Sequence, residues 1–138
     1  AAARFGAKAR VSQPTIAVAV VIDRGRVLVG QRSLTAASAA GLHEFPGGKV
    51  EAGEEPAAAA KRECQEETGV AVTIGPLLTK ATVADTGATI LFFHGSITGT
   101  PPKSPRVPFS WLTADDLPAC RFPPANEAVL CWLSERLR

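Results

Sequence analysis

Residues 48–70 read GKVEAGEEPAAAAKRECQEETGV. Pro56 suits the first turn of a helix, where its fixed φ is helical and its missing N–H is not needed. Ala57 to Ala60 propagate that helix, and Gly69 followed by apolar Val70 fits a left-handed terminus closed by a hydrophobic contact. Glu63, Glu66 and Glu67 then stand at i, i+3 and i+4, so their side chains leave one helix face about 5–6 Å apart. Like charges at that spacing cost an isolated helix a few tenths of a kcal/mol per pair, and Lys61 and Arg62 offset only part of it. A hard divalent cation reverses the sign. Mg²⁺ takes oxygen ligands, keeps several waters and shares the phosphates of a substrate, which suits a few clustered carboxylates. Taken alone, the three glutamates favour a solvated acidic face; the residues around them change that.

Outward from this helix the chain is rich in strands. Thr15 to Ile22 and Val27 to Gln31 are apolar β-branched runs, and Asp23-Arg24-Gly25-Arg26 supplies a hairpin turn between them. Ser33 to Leu42 is small and Ala-rich, which predicts a loop, ended by the punctuation of Phe45-Pro46-Gly47-Gly48. Val70 to Val83 and Thr89 to Ile97 read as two more strands, turned by Asp85-Thr86-Gly87. Gly99 to Pro108 carries four prolines and reads as irregular, with a further strand over Val107 to Leu112. Thr113 to Asp116 resembles a capping box opening a short turn. From Pro124 to Leu137, Val129, Leu130, Leu133 and Leu137 recur at helical spacing. Mixed strands with one helix in the middle and one at the end give an α/β fold, a layered sandwich around a mixed sheet.

Gly48, Glu54, Arg62, Glu63, Glu66, Glu67 and Gly69 fit the pattern G-x5-E-x7-R-E-U-x-E-E-x-G-U, with apolar Cys64 and Val70 at the U positions. At roughly 7% per fixed letter, seven matches arise by chance on the order of 10⁻⁸ times per starting position. The pattern resembles the signature of the Nudix hydrolases and covers about a sixth of the chain. That resemblance implies an αβα sandwich in which the signature forms a loop-helix-loop, Arg62 braces the loop against Glu54, and Glu63, Glu66 and Glu67 bind Mg²⁺, or Mn²⁺ in its place. It makes the carbonyl of Gly47 a further metal ligand and casts one of these glutamates, assigned here as Glu63, as the base for the attacking water. The chemistry is coherent without the name, because hydrolysis of a phosphoanhydride needs charge neutralisation on phosphate and an oriented water.

Phe122-Pro123-Pro124-Ala125-Asn126-Glu127 with Ala114-Asp115-Asp116, outside the signature, and Glu44 to Lys49 ahead of the helix are similar to the MutT-like branch of the family, which removes 8-oxo-dGTP. The similarity implies that Asn126 reads a purine edge, that Arg32 meets nucleotide phosphate, and that Phe45 and Gly48 touch substrate. An amide offers a donor and an acceptor for two adjacent positions of a base. Asn126 also suits the cap of the last helix, and Arg32 alone is equally well a surface charge. The chain departs from that branch at His43, which stands where the branch has Trp, and in having no acid between Asp85 and Asp115. The second departure removes a late metal-site acid, for which Asp115 and Asp116 are weak substitutes. Hydrolysis of another linkage, as in ADP-ribose, dCTP or a dinucleoside polyphosphate, stays open, as does a silent binding module, although such modules usually lose signature acids.

A chain of 138 residues, 46% hydrophobic, is the size of one domain, expected over residues 13–138 with residues 1–12 as a flexible basic tail. A net charge of +2 gives no basic field for a nucleic-acid polymer. Cys64, Cys120 and Cys131 lack paired spacing, arguing against a disulfide framework or zinc site and for a reducing cytoplasm. No apolar run suggests membrane insertion. With polymer and membrane disfavoured, the partner that the resemblance implies is a small nucleotide, and a monomer is favoured. Cys64 is expected to face the core, Cys120 and Cys131 to pack, and His94 to be structural.

Overall fold

The computed structural model describes residues 14–37 and 39–137, so the expected tail over residues 1–12 lies outside the described residues. The first hairpin joins β1 (Thr15–Asp23) to β2 (Arg26–Gln31) through Arg24-Gly25, both at positive φ, the geometry that matches the twist of paired strands. Two short strands follow, β3 (His43–Glu44) and β4 (Gly47–Lys49), where the sequence predicts only a break. The signature helix α1 spans Pro56–Thr68. Then come β5 (Val72–Thr82), β6 (Thr89–Ile97), β7 (Ser110–Leu112) and a C-terminal helix α2 (Glu127–Arg136).

The strands run in the order β3-β2-β1-β6-β5, with β4 added to β1 and β7 to β2. The sheet is mixed because β1 and β6 are parallel while the other pairs are antiparallel. Alternation along β1 separates two cores. Ala17, Ala19 and Val21 pack with Ala59, Ala60 and Cys64 of α1, whereas Val18 and Val20 pack with Val129 and Leu133 of α2. The expected αβα sandwich is thereby formed, with one helix layer on each face.

Several boundaries move for identifiable reasons. Pro76 cannot donate to the ladder, and the pairing of β5 with β6 shifts register between Ile74 and Leu77. Strand β7 is shorter than the expected Val107 to Leu112, since Pro108 likewise has no amide hydrogen. Pro124 to Asn126 form a tight 3₁₀ turn, so α2 proper starts at Glu127. Cys64 is fully buried as expected, and burial pushes its thiol up to about 11. Cys131 is exposed, not packed: it lies off the Val129, Leu133, Leu137 stripe that faces the sheet. Among the described residues, no helix is long and apolar enough to cross a membrane.

Gly30 of β2 shows how tightly the α1 side is filled. A Cβ there would stand 2.8 Å from the Phe109 ring. Gly30→Ala is expected to cost about 1–3 kcal/mol, as overpacking does. Calorimetry should record a lower thermal midpoint; an unchanged midpoint would mean that the ring moves aside freely.

Candidate active site

The C-terminal turn of α1, which carries Glu66 and Glu67, is tied down on every side. Gly69 takes the left-handed conformation (φ 78°) and its N–H donates to the Gln65 carbonyl at 2.9 Å. Thr68 Oγ1 donates to the Cys64 carbonyl at 2.7 Å and accepts from the Val70 amide at 3.0 Å. From the proline-rich segment, the Arg106 amide donates to the Thr68 carbonyl at 2.9 Å and its guanidinium donates to the Glu66 carbonyl. Carbonyls that a helix end leaves without partners are thus satisfied by a loop remote in sequence.

Arg62 braces the signature loop as the resemblance implies. Its Nε donates to Glu54 Oε2 at 2.8 Å and Nη2 to Glu54 Oε1 at 3.0 Å, a two-pronged pair, while Nη2 also reaches the Lys49 carbonyl at 3.2 Å. The hydrogen-bonded Arg62 guanidinium, with the Glu51 amide, holds the Glu54 carboxyl down at about 2. Its ordinary value is 4.5, so the stabilisation is complete above pH 4.5 and is lost as pH falls from there toward 2. Glu54→Gln should therefore lose less stability than the wild type over that interval. An acid titration followed by circular dichroism checks this, and identical profiles would separate the pair from acid stability.

The remaining glutamates surround β4. Glu67 Oε1 accepts from the Gly47 amide at 2.9 Å. Glu63 lies against Gly48 so closely that a Cβ there would collide with its carboxylate. Glu66 leans toward Arg62 Nη1 at 3.1 Å, and Glu63 Oε2 lies 3.4 Å from the same nitrogen. Burial pushes the Glu67 carboxyl up to about 7, against the pull of the Gly47 amide and with the help of negative Glu63, Glu44 and Glu66. Glu44 is thus an acid of this cluster that sequence reasoning missed; it reaches the cluster through β3 and pairs with Arg32 at 3.4 Å. Asp116 does not join, because its Oδ2 accepts from the amide and hydroxyl of Thr113 at 2.9 and 3.1 Å.

Among the described residues, no three of these side chains already converge on one point. The donor set nevertheless fits a hard divalent cation. It is all oxygen, it gathers negative charge around a half-buried carboxylate, and the missing Cβ of Gly48 opens the space that Glu63 fills. Zinc, which prefers nitrogen and sulfur ligands, finds neither here.

A cleft of about 250 Å³ adjoins the acids, with Gly47 common to both. Arg32, His43, Phe45, Pro123 and Asn126 line it. Phe45 is buried and stacks on Phe122 at 4.9 Å. Asn126 is 7% exposed and precedes α2, yet its side chain makes no capping hydrogen bond. Its side-chain amide does not cap α2, and the residue lines the cleft. His94 is elsewhere, edge-on to Trp132 at 5.6 Å on the α2 side. The sequence carried a signal for the Asn126 wall in the Phe122 to Glu127 patch, whereas Glu44 stood in the other patch with no role read for it.

Comparison with known proteins agrees with this geometry. The model of the NUDIX domain matches residues 12–133. The 8-oxo-dGTP diphosphatase of Escherichia coli (strain K12) is 33% identical over 121 residues, covering 86% of this chain and 94% of that protein. The CTP pyrophosphohydrolase of the same organism is 46% identical over 59 residues, 42% of this chain and 43% of that protein. A solved MutT structure, from work on Aliivibrio salmonicida and Vibrio cholerae, superposes with a TM-score of 0.70 at 26% identity, covering 91% of this chain and 98% of that one.

Proposed function

Because the chain belongs to the Nudix hydrolase family, we propose that it hydrolyses a nucleoside triphosphate to the monophosphate and pyrophosphate, with 8-oxo-dGTP as the preferred substrate. The observation that carries this reading is the Asn126 side-chain amide, unused as a helix cap, in a cleft that shares Gly47 with the acid cluster. At about 250 Å³ the cleft is smaller than the ~300–1,000 Å³ usual for a drug-sized ligand. It takes one part of a nucleotide, the base, and leaves the phosphates beside the glutamates.

Glu63, Glu66 and Glu67 are the residues that would hold Mg²⁺ or Mn²⁺, with the Gly47 carbonyl as a further ligand. When bound, the cation neutralises phosphate charge and lowers the pKa of water. Arg62 and Glu54 keep the loop rigid, and Arg32, oriented by Glu44, meets the phosphate nearest the base. Water adds to a phosphorus, the phosphoanhydride bond breaks, and the water's proton passes to Glu63. We assign Glu63 because its carboxylate accepts no hydrogen bond among the described residues, beyond the ion pair with Arg62. Glu67, by contrast, is engaged by Gly47.

The similarity to a CTP pyrophosphohydrolase favours a second reading, a pyrimidine triphosphate, since an amide can address cytosine as well. The test is a panel of 8-oxo-dGTP, dGTP, dCTP, CTP and ADP-ribose with Mg²⁺, assayed for monophosphate and pyrophosphate. Highest kcat/KM for 8-oxo-dGTP, abolished by chelator, supports the first reading. Preference for CTP or dCTP supports the second, and full activity in excess chelator removes the metal assignment from both.

A further inference from the structure

We propose that His43 is a positioning residue for base recognition, holding the wall that carries Pro123 and Asn126 through one acceptor atom, Nδ1. The proposal rests on reading the cleft as a base pocket. Residues 121–123 have no secondary structure of their own, so their place over the cleft is set by tertiary contacts. Two of these converge on His43. Its amide donates to the Arg121 carbonyl at 2.7 Å, and the Arg121 amide donates back to His43 Nδ1 at 3.0 Å. A side chain thus completes a two-bond pairing that an ordinary ladder makes with backbone alone. With Nδ1 accepting, the neutral ring carries its hydrogen on Nε2.

The consequence passes along a short, stiff path. The His43 ring lies 5.9 Å from Phe122, which stacks on Phe45, and the backbone N–H of Asn126 donates to the Pro123 carbonyl at 3.0 Å. Fixing Arg121 therefore fixes the turn from which Asn126 faces the cleft. The phosphate end is held by contacts other than these, chiefly the Gly47–Glu67 bond that ties β4 to α1.

His43→Asn places an amide oxygen near the site of Nδ1, whereas His43→Gln carries its oxygen one carbon farther out and His43→Ala has no acceptor. The expected result is a KM for 8-oxo-dGTP close to wild type in His43→Asn. In His43→Gln and His43→Ala it should rise about fivefold, the loss of one hydrogen bond, with kcat within about twofold. Inhibition by inorganic pyrophosphate should be the same in all three. If His43→Ala does not fold, the Asn and Gln pair still decides. Equal KM values in His43→Asn and His43→Gln, or a loss confined to kcat, would overturn the proposal. Asn126→Ala, measured alongside, separates the two ideas. No change in base preference there removes the base pocket and this proposal with it, while a changed preference together with wild-type KM in His43→Gln overturns the role of His43 alone.

Discussion

Glu67→Gln is expected to lower turnover by at least ~100-fold without lowering the thermal midpoint. The glutamine oxygen can keep the 2.9 Å bond from the Gly47 amide, so the local shape survives. What disappears is a negative charge crowded by Glu63, Glu44 and Glu66. Removing it relieves repulsion, and the fold should hold or gain stability as the chemistry is lost. Opposite signs in the two measurements distinguish a site residue from a structural one, for which both would fall together. Glu63→Gln should behave similarly, since its carboxylate lies against Gly48 without contributing to the core. Wild-type rates in both variants, measured with saturating Mg²⁺, would discredit the metal assignment.

Asn126→Ala is expected to damage handling of 8-oxo-dGTP far more than handling of the triphosphate. A base left facing an unpaired pocket costs about 1–3 kcal/mol in discrimination. The loss of ~1 kcal/mol in stability that follows removal of a helix cap is not expected here, because the side chain makes no such bond. The decisive quantity is the ratio of kcat/KM for 8-oxo-dGTP over dCTP. If that ratio is preserved while the midpoint drops, Asn126 serves the helix and the guanine assignment loses its support.

What could be read from the sequence is what local chemistry determines. Pro56, the alanine run and Gly69 define α1 without reference to anything distant, and the i, i+3, i+4 spacing already sets its acids on one face. The first hairpin is equally local. Strands β3 and β4, only two and three residues long, exist because β2 and β1 offer them partners, and no periodicity can be detected over so few positions. Glu44 enters the acid cluster for the same reason: its neighbour in function, Glu67, is 23 positions away in the chain and meets it through the sheet. Asn126 shows a different limit. A cap and a base reader need the same residue at the same place, and only the absence of a capping hydrogen bond separates them. The exposure of Cys131 was available from the helical spacing of Val129, Leu133 and Leu137, and was obscured by treating cysteine as a small apolar residue.

The seam between α1 and β1 is built from alanine on both sides, with Ala17 and Ala19 facing Ala59 and Ala60, all fully buried. A layer one methyl thick on each surface acts as a shim: it sets how far the helix stands from the sheet, and therefore how high its carboxylates ride above the glycines of β4. A larger side chain in the shim would lift the whole row of acids at once. The seam is far from solvent, yet it sets the spacing between the acids of α1 and the strand beneath them.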